Sequence, residues 1–126
     1  MDHRELAAEL FLSDCNCAQA VLEAFSDVTG LEKSFAAKLA SSFGGGMGRM
    51  REVCGAVSGM LMVAGLLYGY DDPGENDVNK KAHYQLVQNL AGQFREKIGS
   101  IICREILSNP PSDPTVSYTH LRAHET

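Results

Sequence analysis

The chain lacks an excess of positive charge and lacks a long apolar run. Its 126 residues include 11 lysines and arginines against 16 aspartates and glutamates, for a formal net charge of −5. Nucleic-acid-binding domains need a basic surface, so we expect no nucleic-acid partner. The longest apolar run, residues 53–68, is shorter than the ~20 apolar residues of a transmembrane helix, so we expect no membrane insertion.

Features of secretion and of common cysteine motifs are also missing. Residues 1–9 are charged and have no apolar signal-peptide core, which predicts a cytoplasmic protein. Without an export signal, four cysteines predict reduced thiols, a metal site or redox chemistry rather than a disulfide framework. No CxxC motif, which would indicate zinc or a thioredoxin-like site, is present. The four are Cys15, Cys17, Cys54 and Cys103.

Helical spacing of apolar residues dominates the chain, and no stretch alternates with period two long enough to predict a strand. An N-terminal helix capped by Asp2 and a second helix over residues 17–25 are predicted first. A third helix is expected to face inward through Leu31, Phe35, Leu39 and Phe43. The longest helix has apolar positions at Val78, Ala82, Leu86, Leu90, Phe94 and Ile98, and a short last helix covers residues 101–107. The prediction is an all-α protein, a single compact bundle of five or six helices.

A buried central apolar helix is predicted over about residues 51–69. Because it carries no charge beyond its start, we expect it to be covered on every side. Its small residues, among them Gly55 and Gly59, would let a neighbouring helix approach closely, either within the chain or in a homodimer.

The chain changes character after residue 108. We predict a helical cysteine-containing domain over residues 1–108 and a linker with a non-native tail over 109–126. Residues 116–126 have no apolar periodicity and look like translated sequencing-adapter read-through. His120 and His124 are therefore not predicted to be metal ligands, despite their i, i+4 spacing.

Three cysteines fall where helices are predicted to begin. Unpaired N–H groups at a helix start favour a thiolate, and this applies to Cys17, Cys54 and Cys103. Arg51 lies near Cys54 in the sequence, and Arg104 follows Cys103. The alternative for each thiol taken singly is a small hydrophobic residue packed in a core. Cys15 and Cys17 would point about 200° apart on one helix, so one is expected to be exposed and the other buried.

The glycine-rich stretch at residues 44–48 predicts a bend or a close backbone approach, and we place Gly45 and Gly46 at the cofactor site. It lacks the lysine of a phosphate-binding loop and follows a helix rather than a strand, so no nucleotide is expected. Elsewhere, His83 is predicted to be solvated. The acidic turn containing Asp71 and Asp72 does not match a calcium-binding loop.

Three segments together form a recognisable pattern: CAQAVLEAF (17–25), FGGGMGRMREVCGAVSGMLMVAG (43–65) and GSIICREIL (99–107). In this order they resemble the C_GCAxxG_C_C family of redox-active proteins, which are small, helical and bacterial or archaeal. The resemblance places family cysteines at Cys17, Cys54 and Cys103, and a fourth beyond Pro114, where this chain departs from the family. A similar domain in split-Soret cytochromes holds an iron–sulfur cluster beside haem, but this chain has no CxxCH and no covalent haem is implied.

These observations lead to three functional hypotheses. In the first, Cys17, Cys54 and Cys103 are the catalytic and metal-binding residues, and they converge to hold an iron–sulfur cluster or another soft metal for electron transfer to an unknown partner. In the second, a metal-free thiol–disulfide protein uses Cys54 as the low-pKa attacking thiol and Cys17 or Cys103 as the resolving thiol. In the third, the chain is a helical interaction module, able to form a homodimer, whose cysteines are simply packed.

Overall fold

The structure is a computed structural model that describes residues 2–108. It contains the helices α1 (His3–Leu12), α2 (Cys17–Ala24), α3 (Ser26–Thr29), α4 (Lys33–Ala40), α5 (Gly44–Met47), α6 (Gly55–Tyr68), α7 (Val78–Ile98) and α8 (Cys103–Ser108). Strand-like pairing in this part of the chain is limited to one antiparallel bridge between Val53 and Ile102. The all-α prediction is confirmed. The predictions for residues 109–126, including His120 and His124, lie outside the described residues.

Side-chain caps fix where the first two helices begin. The Asp2 carboxylate accepts a hydrogen bond from the Glu5 N–H at 2.8 Å. Asn16 and Gln19 form a reciprocal capping box, in which each side chain accepts from the other's backbone N–H at 2.8 and 3.0 Å. Such caps satisfy N–H groups that have no partner inside the helix. The Asn16 cap therefore makes Cys17 the first residue of α2.

The core is built around α2, which packs against α1, α4 and α6. Gly59 brings α6 close to α2, because a β-carbon at this position would lie 3.0 Å from both the Ala18 carbonyl oxygen and Val21 Cβ. The main cluster of buried apolar residues spans α2, α4 and α6 and consists of Ala18, Leu22, Ala36, Ala40 and Val63. The small-residue face of α6 at Gly55 and Gly59 is thus used within the chain by α2.

The inward face predicted for the third helix is confirmed at Leu31 and Phe43, which lie just outside α4 and pack against the core, but it is wrong within α4 itself. Phe35 is 57% exposed and Leu39 is 47% exposed, whereas Ala36 and Ala40 are fully buried. Alanine lets α4 approach α2 more closely than phenylalanine or leucine would. The short helix therefore packs through its small residues and leaves its larger apolar ones in solvent.

Helix α6 differs from the predicted central helix in its start and in its covering. It begins at Gly55 rather than near residue 51, because residues 51–54 pair with the segment before α8. Only its first part is enclosed: Leu66, Leu67 and Tyr68 are 47%, 40% and 68% exposed. Helix α7 has the predicted length, but none of its residues is fully buried. Among residues 2–108, no helix is long and apolar enough to cross a membrane.

Candidate redox site

Two distant segments pair through their backbones and bring two cysteines to the same place. The Cys54 N–H donates to the Ile101 carbonyl at 2.8 Å, and the Cys103 N–H donates to the Glu52 carbonyl at 2.6 Å. Cys54 is the N-cap of α6, and Cys103 is the first residue of α8. Because of this pairing, α6 and α8 begin side by side.

The segment before this pairing is a left-handed loop, residues 45–49, in which all five φ angles lie between +60° and +71°. It includes three of the four residues of α5, so that α5 is a tight left-handed turn rather than a regular helix. Glycine adopts this conformation freely, whereas other residues lose about 1–2 kcal/mol there. Met47 and Arg49 are the two non-glycine members. Backbone hydrogen bonds from the residues that follow it hold the loop in place. The Arg51 N–H donates to the Gly45 carbonyl oxygen at 3.3 Å, and the Glu52 N–H donates to the Gly46 carbonyl oxygen at 3.0 Å.

Two glycines allow the cysteines to approach the backbone. A β-carbon on Gly46 would lie 2.7 Å from Cys103 Cβ and 2.8 Å from the Glu52 nitrogen. A β-carbon on Gly55 would collide with the sulfur of Cys17. The start of α2 therefore meets the start of α6, and the left-handed loop lies against the start of α8. Cys17, Cys54 and Cys103 occupy these three helix starts.

The three thiols are buried, and their ionisations oppose one another. Cys54 and Cys103 are 0% exposed and Cys17 is 6% exposed. Burial raises the pKa of Cys54 to about 12, and repulsion from Cys17 and Cys103 adds to this. The nearby N–H groups of Ala56 and Val57 lower this pKa by less. The expectation of a low-pKa thiol at Cys54 is wrong, because desolvation outweighs the donors at the helix start.

The arginine expected beside Cys54 acts on Cys103 instead. The Arg51 guanidinium lies 3.8 Å from the Cys103 sulfur. Burial raises the pKa of Cys103, while the hydrogen bond and charge of Arg51 and the charge of Arg104 lower it. Arg104 also forms an exposed ion pair with Glu52, at 2.8 Å. Positive charge at the site is therefore concentrated around Cys103.

Cys15 has a different partner. Its half-buried thiol donates to the Glu23 carboxylate at 3.2 Å. Burial, followed by this bond and the charge of Glu23, raises the pKa of Cys15 to about 11. Cys15 packs at the edge of a small cluster formed by Phe11, Cys17 and Ala20. It is half-buried rather than exposed, and its thiol is held as a protonated donor.

The donors in this region do not form a ready metal site. Within residues 2–108, no group of three or more His, Cys, Asp or Glu side chains is arranged to hold a metal ion. None of the four cysteines forms a disulfide. Gly45 and Gly46 are buried beneath Arg49, Arg51 and Cys103. Their visible role is to let the chain pack closely, and their assignment to a cofactor site stays a prediction.

Sequence reasoning missed two side-chain partners at the site. The Arg51–Cys103 contact joins residues 52 positions apart, and no local sequence pattern predicts it. The Cys15–Glu23 bond joins the residue before a helix cap to the penultimate residue of the same helix. Glu23 is the one charged residue of the CAQAVLEA segment and was the available signal, because a carboxylate buried with such a segment needs a hydrogen-bond donor.

Comparison with known proteins places this arrangement in a family. No curated protein and no solved structure matches the chain. Residues 15–125 match the family described as "Putative redox-active protein (C_GCAxxG_C_C)". The matched range includes all four cysteines and the left-handed loop, and it covers most of the sequence. The chain therefore belongs to the C_GCAxxG_C_C family of redox-active proteins.

Proposed function

We propose that Cys17, Cys54 and Cys103 form the redox centre of this protein and that two of these thiols are oxidised to a disulfide. The observation that carries the proposal is the meeting of three buried cysteines at the starts of α2, α6 and α8. Packing alone does not require thiols at all three helix starts. A cytoplasmic location, where thiols are kept reduced, is part of the same proposal.

Burial of the thiols favours a small oxidant over a protein disulfide. With Cys54 and Cys103 fully enclosed, a macromolecular thiol or disulfide cannot reach their sulfurs in this conformation. A hydroperoxide is small enough to reach Cys17, which is 6% exposed, and needs only a small local opening to reach the other two thiols. Two thiols and one hydrogen peroxide would give one disulfide and two waters, with two electrons passing from sulfur to oxygen. Burial raises the pKa of Cys103, but Arg51 and Arg104 offset part of this rise, and no positive charge does the same for the pKa of Cys54.

The second candidate is binding of a soft metal or an iron–sulfur cluster for electron transfer. It is favoured by the presence of three thiols, one more than a disulfide needs. Thiolates are the usual ligands of both groups. The described residues fit such a group incompletely, because they contain no set of three donors arranged for a metal ion. We therefore assign no reaction step to a metal, and the two candidates are separated by experiment.

The test is oxidation of the reduced protein under anaerobic conditions with measured amounts of hydrogen peroxide. Peptide mass mapping should find one disulfide that joins two of Cys17, Cys54 and Cys103. Cys15→Ser is the matched control and should leave this disulfide unchanged, whereas Cys103→Ser should slow its formation. If all three thiols survive excess peroxide in folded protein, or if the disulfide uses Cys15, the proposal is wrong.

A parallel reconstitution with iron and sulfide tests the second candidate. A visible absorption band that is lost in each of Cys17→Ser, Cys54→Ser and Cys103→Ser, but kept in Cys15→Ser, would assign a cluster to these residues. No band, together with peroxide-dependent disulfide formation, would assign the thiol chemistry. If neither occurs in the folded protein, the interaction-module hypothesis with packed cysteines is favoured.

A further inference from the structure

A separate cavity lies between the end of α6 and the first turns of α7. Its volume is about 540 Å³, which is within the range of small-molecule sites. The residues of its wall that matter here are Tyr68, Tyr70, Asp71, Asp72 and His83. His83 was expected to be solvated, but it is half-buried and forms part of this wall.

Aromatic contacts hold one wall of the cavity in place. The Tyr70 ring meets His83 edge-on with ring centres 6.0 Å apart, and it meets Tyr84 in the same way at 6.3 Å. The Tyr70 hydroxyl donates to the Tyr84 hydroxyl at 3.4 Å. These contacts restrain the rotation of Tyr70, so that an aromatic surface is already present at the cavity.

The polar part of the cavity wall combines two carboxylates with neutral groups such as Asn79, whose side-chain amide donates to the Asp72 carbonyl at 3.3 Å. One Asp72 carboxylate oxygen accepts the Gly74 N–H at 2.9 Å. Asp71 has no hydrogen-bond or ion-pair partner among residues 2–108, and no lysine or arginine lines the cavity. His83 Nδ1 is buried without a hydrogen-bond partner in the same part of the chain. Protein atoms enclose this nitrogen, so the carboxylates of Asp71 and Asp72 are the acidic groups that a ligand in the cavity can reach.

We propose that this cavity binds a small organic ammonium cation. Aromatic faces together with a carboxylate are the groups that recognise such cations, through ring electrostatics and charge pairing. A metal ion is disfavoured, because Asp71, Asp72 and His83 do not form a group arranged to hold one. An anion is disfavoured by the two aspartates. The site is separate from the thiols and does not depend on their chemistry.

The chain allows a direct test by tyrosine fluorescence, because it has no tryptophan and three of its four tyrosines, Tyr68, Tyr70 and Tyr84, lie at or beside the cavity. The full chain is titrated with tetramethylammonium chloride and ethylammonium chloride, with sodium chloride as the ionic-strength control. We expect saturable quenching by an organic ammonium ion and none by sodium chloride. Magnesium chloride and sodium phosphate are titrated in parallel.

Matched variants locate the binding. Asp71→Asn and Tyr70→Leu should each weaken it by roughly fivefold or more, while Tyr70→Phe, which keeps the ring, should retain it. Glu96→Gln removes an exposed carboxylate elsewhere on α7 and should have no effect. Circular dichroism checks that each variant is folded. Absence of saturable quenching by both ammonium salts, equal loss in Glu96→Gln, or tighter binding of magnesium or phosphate would overturn the proposal.

Discussion

The sulfur of Cys17 lies against the α-carbon of Gly55, so that the first residues of α2 and α6 touch. A side chain at position 55 would meet not only this sulfur but also the Phe43 carbonyl oxygen, 2.8 Å from the added β-carbon. The contact therefore fixes the distance between two helices and the position of one candidate redox thiol. Glycine is therefore needed at position 55 because of the neighbouring Cys17 and Phe43, and not because of the conformation of the helix.

Gly55→Ala should destabilise the protein by about 2–3 kcal/mol, the usual cost of overpacking a site bounded by backbone. It should also change the rate at which Cys17 reacts with a small alkylating reagent. Gly65→Ala is the control, because a β-carbon there has nothing within 4 Å. That change should stabilise the protein by about 0.5–1 kcal/mol, as alanine is the better helix former. Urea unfolding measures the stability of both variants. Equal effects of Gly55→Ala and Gly65→Ala on stability would contradict the contact between Cys17 and Gly55.

A second pair of glycines separates two costs of adding a β-carbon: the cost of close packing and the cost of a positive φ angle. Gly46 and Gly30 both have positive φ, +71° and +78°. A β-carbon on Gly46 would meet Cys103 and the Glu52 backbone, whereas one on Gly30 would have nothing within 4 Å. Gly30→Ala should therefore cost only the conformational term of about 1–2 kcal/mol. Gly46→Ala should cost at least about 1 kcal/mol more, because overpacking adds to that term.

The unfolding midpoint and slope in urea provide the measurement for this pair. Gly46→Ala should also alter peroxide oxidation of Cys103, and Gly30→Ala should not. If Gly30→Ala proves as costly as Gly46→Ala, the close approach of the loop to Cys103 is not a significant constraint.

Local features of this fold could be predicted from the sequence, because their causes are local. The Asp2 cap and the length of α7 follow from nearby residues and helical periodicity. Hydrophobicity did not identify the packed face of α4. Alanines at positions 36 and 40 permit closer approach than the larger side chains beside them, and that advantage depends on the surface of α2.

The site was less predictable, because its geometry depends on pairing between residues 51–54 and 101–104. Residues 51–54 are too few to show a periodic pattern, so the sequence does not indicate that they pair with residues 101–104. The pairing delays the start of α6, buries Cys54 and turns Arg51 towards Cys103. Because Arg51 is close to Cys54 in the sequence, it was expected to lower the pKa of Cys54. In the structure it lies beside Cys103 and lowers the pKa of that thiol instead.

Alkaline pH should destabilise the folded protein through Cys54. Its pKa is about 12 when folded, against a usual 9.0 that applies after unfolding. Between these values the unfolded state releases a proton that the folded state retains, so stability is fully present below pH 9 and falls as pH rises towards 12. The slope contributed is up to ~1.4 kcal/mol per pH unit.

Urea unfolding between pH 8 and 11 measures this slope. Cys54→Ala will be less stable at neutral pH, because it leaves a small cavity, but its stability should fall less steeply with pH. Cys15→Ser is the comparison, since the pKa of Cys15 is also raised, to about 11. Cys15→Ser should leave most of the contribution of Cys54 to the pH dependence of stability in place. Parallel curves for wild type and Cys54→Ala would show that Cys54 does not carry the effect.

Arg51 should have two separable effects, one through its charge and one through its backbone. Its guanidinium lies 3.8 Å from the Cys103 sulfur, and its φ is +63°, a conformation costly for a side-chain-bearing residue. Arg51→Met removes the charge and the hydrogen bond to Cys103, and Arg51→Gly removes these and the backbone strain. Both should raise the pKa of Cys103, while Arg51→Gly should be more stable than Arg51→Met by about 1 kcal/mol. Titration of ¹³Cβ-labelled cysteine by NMR follows the pKa, and urea unfolding follows stability.

Arg49→Met is the matched control for the charge. Arg49 also has a positive φ, +66°, and its side chain is exposed, but its charge is not among the influences on the pKa of Cys103. This variant should leave the Cys103 titration unchanged. If Arg51→Met leaves it unchanged as well, or shifts the titration of Cys54 instead, Arg51 does not favour the Cys103 thiolate. The order in which the thiols react with peroxide would then depend on access rather than on charge, and Cys17, which is 6% exposed, would react before the fully buried Cys103.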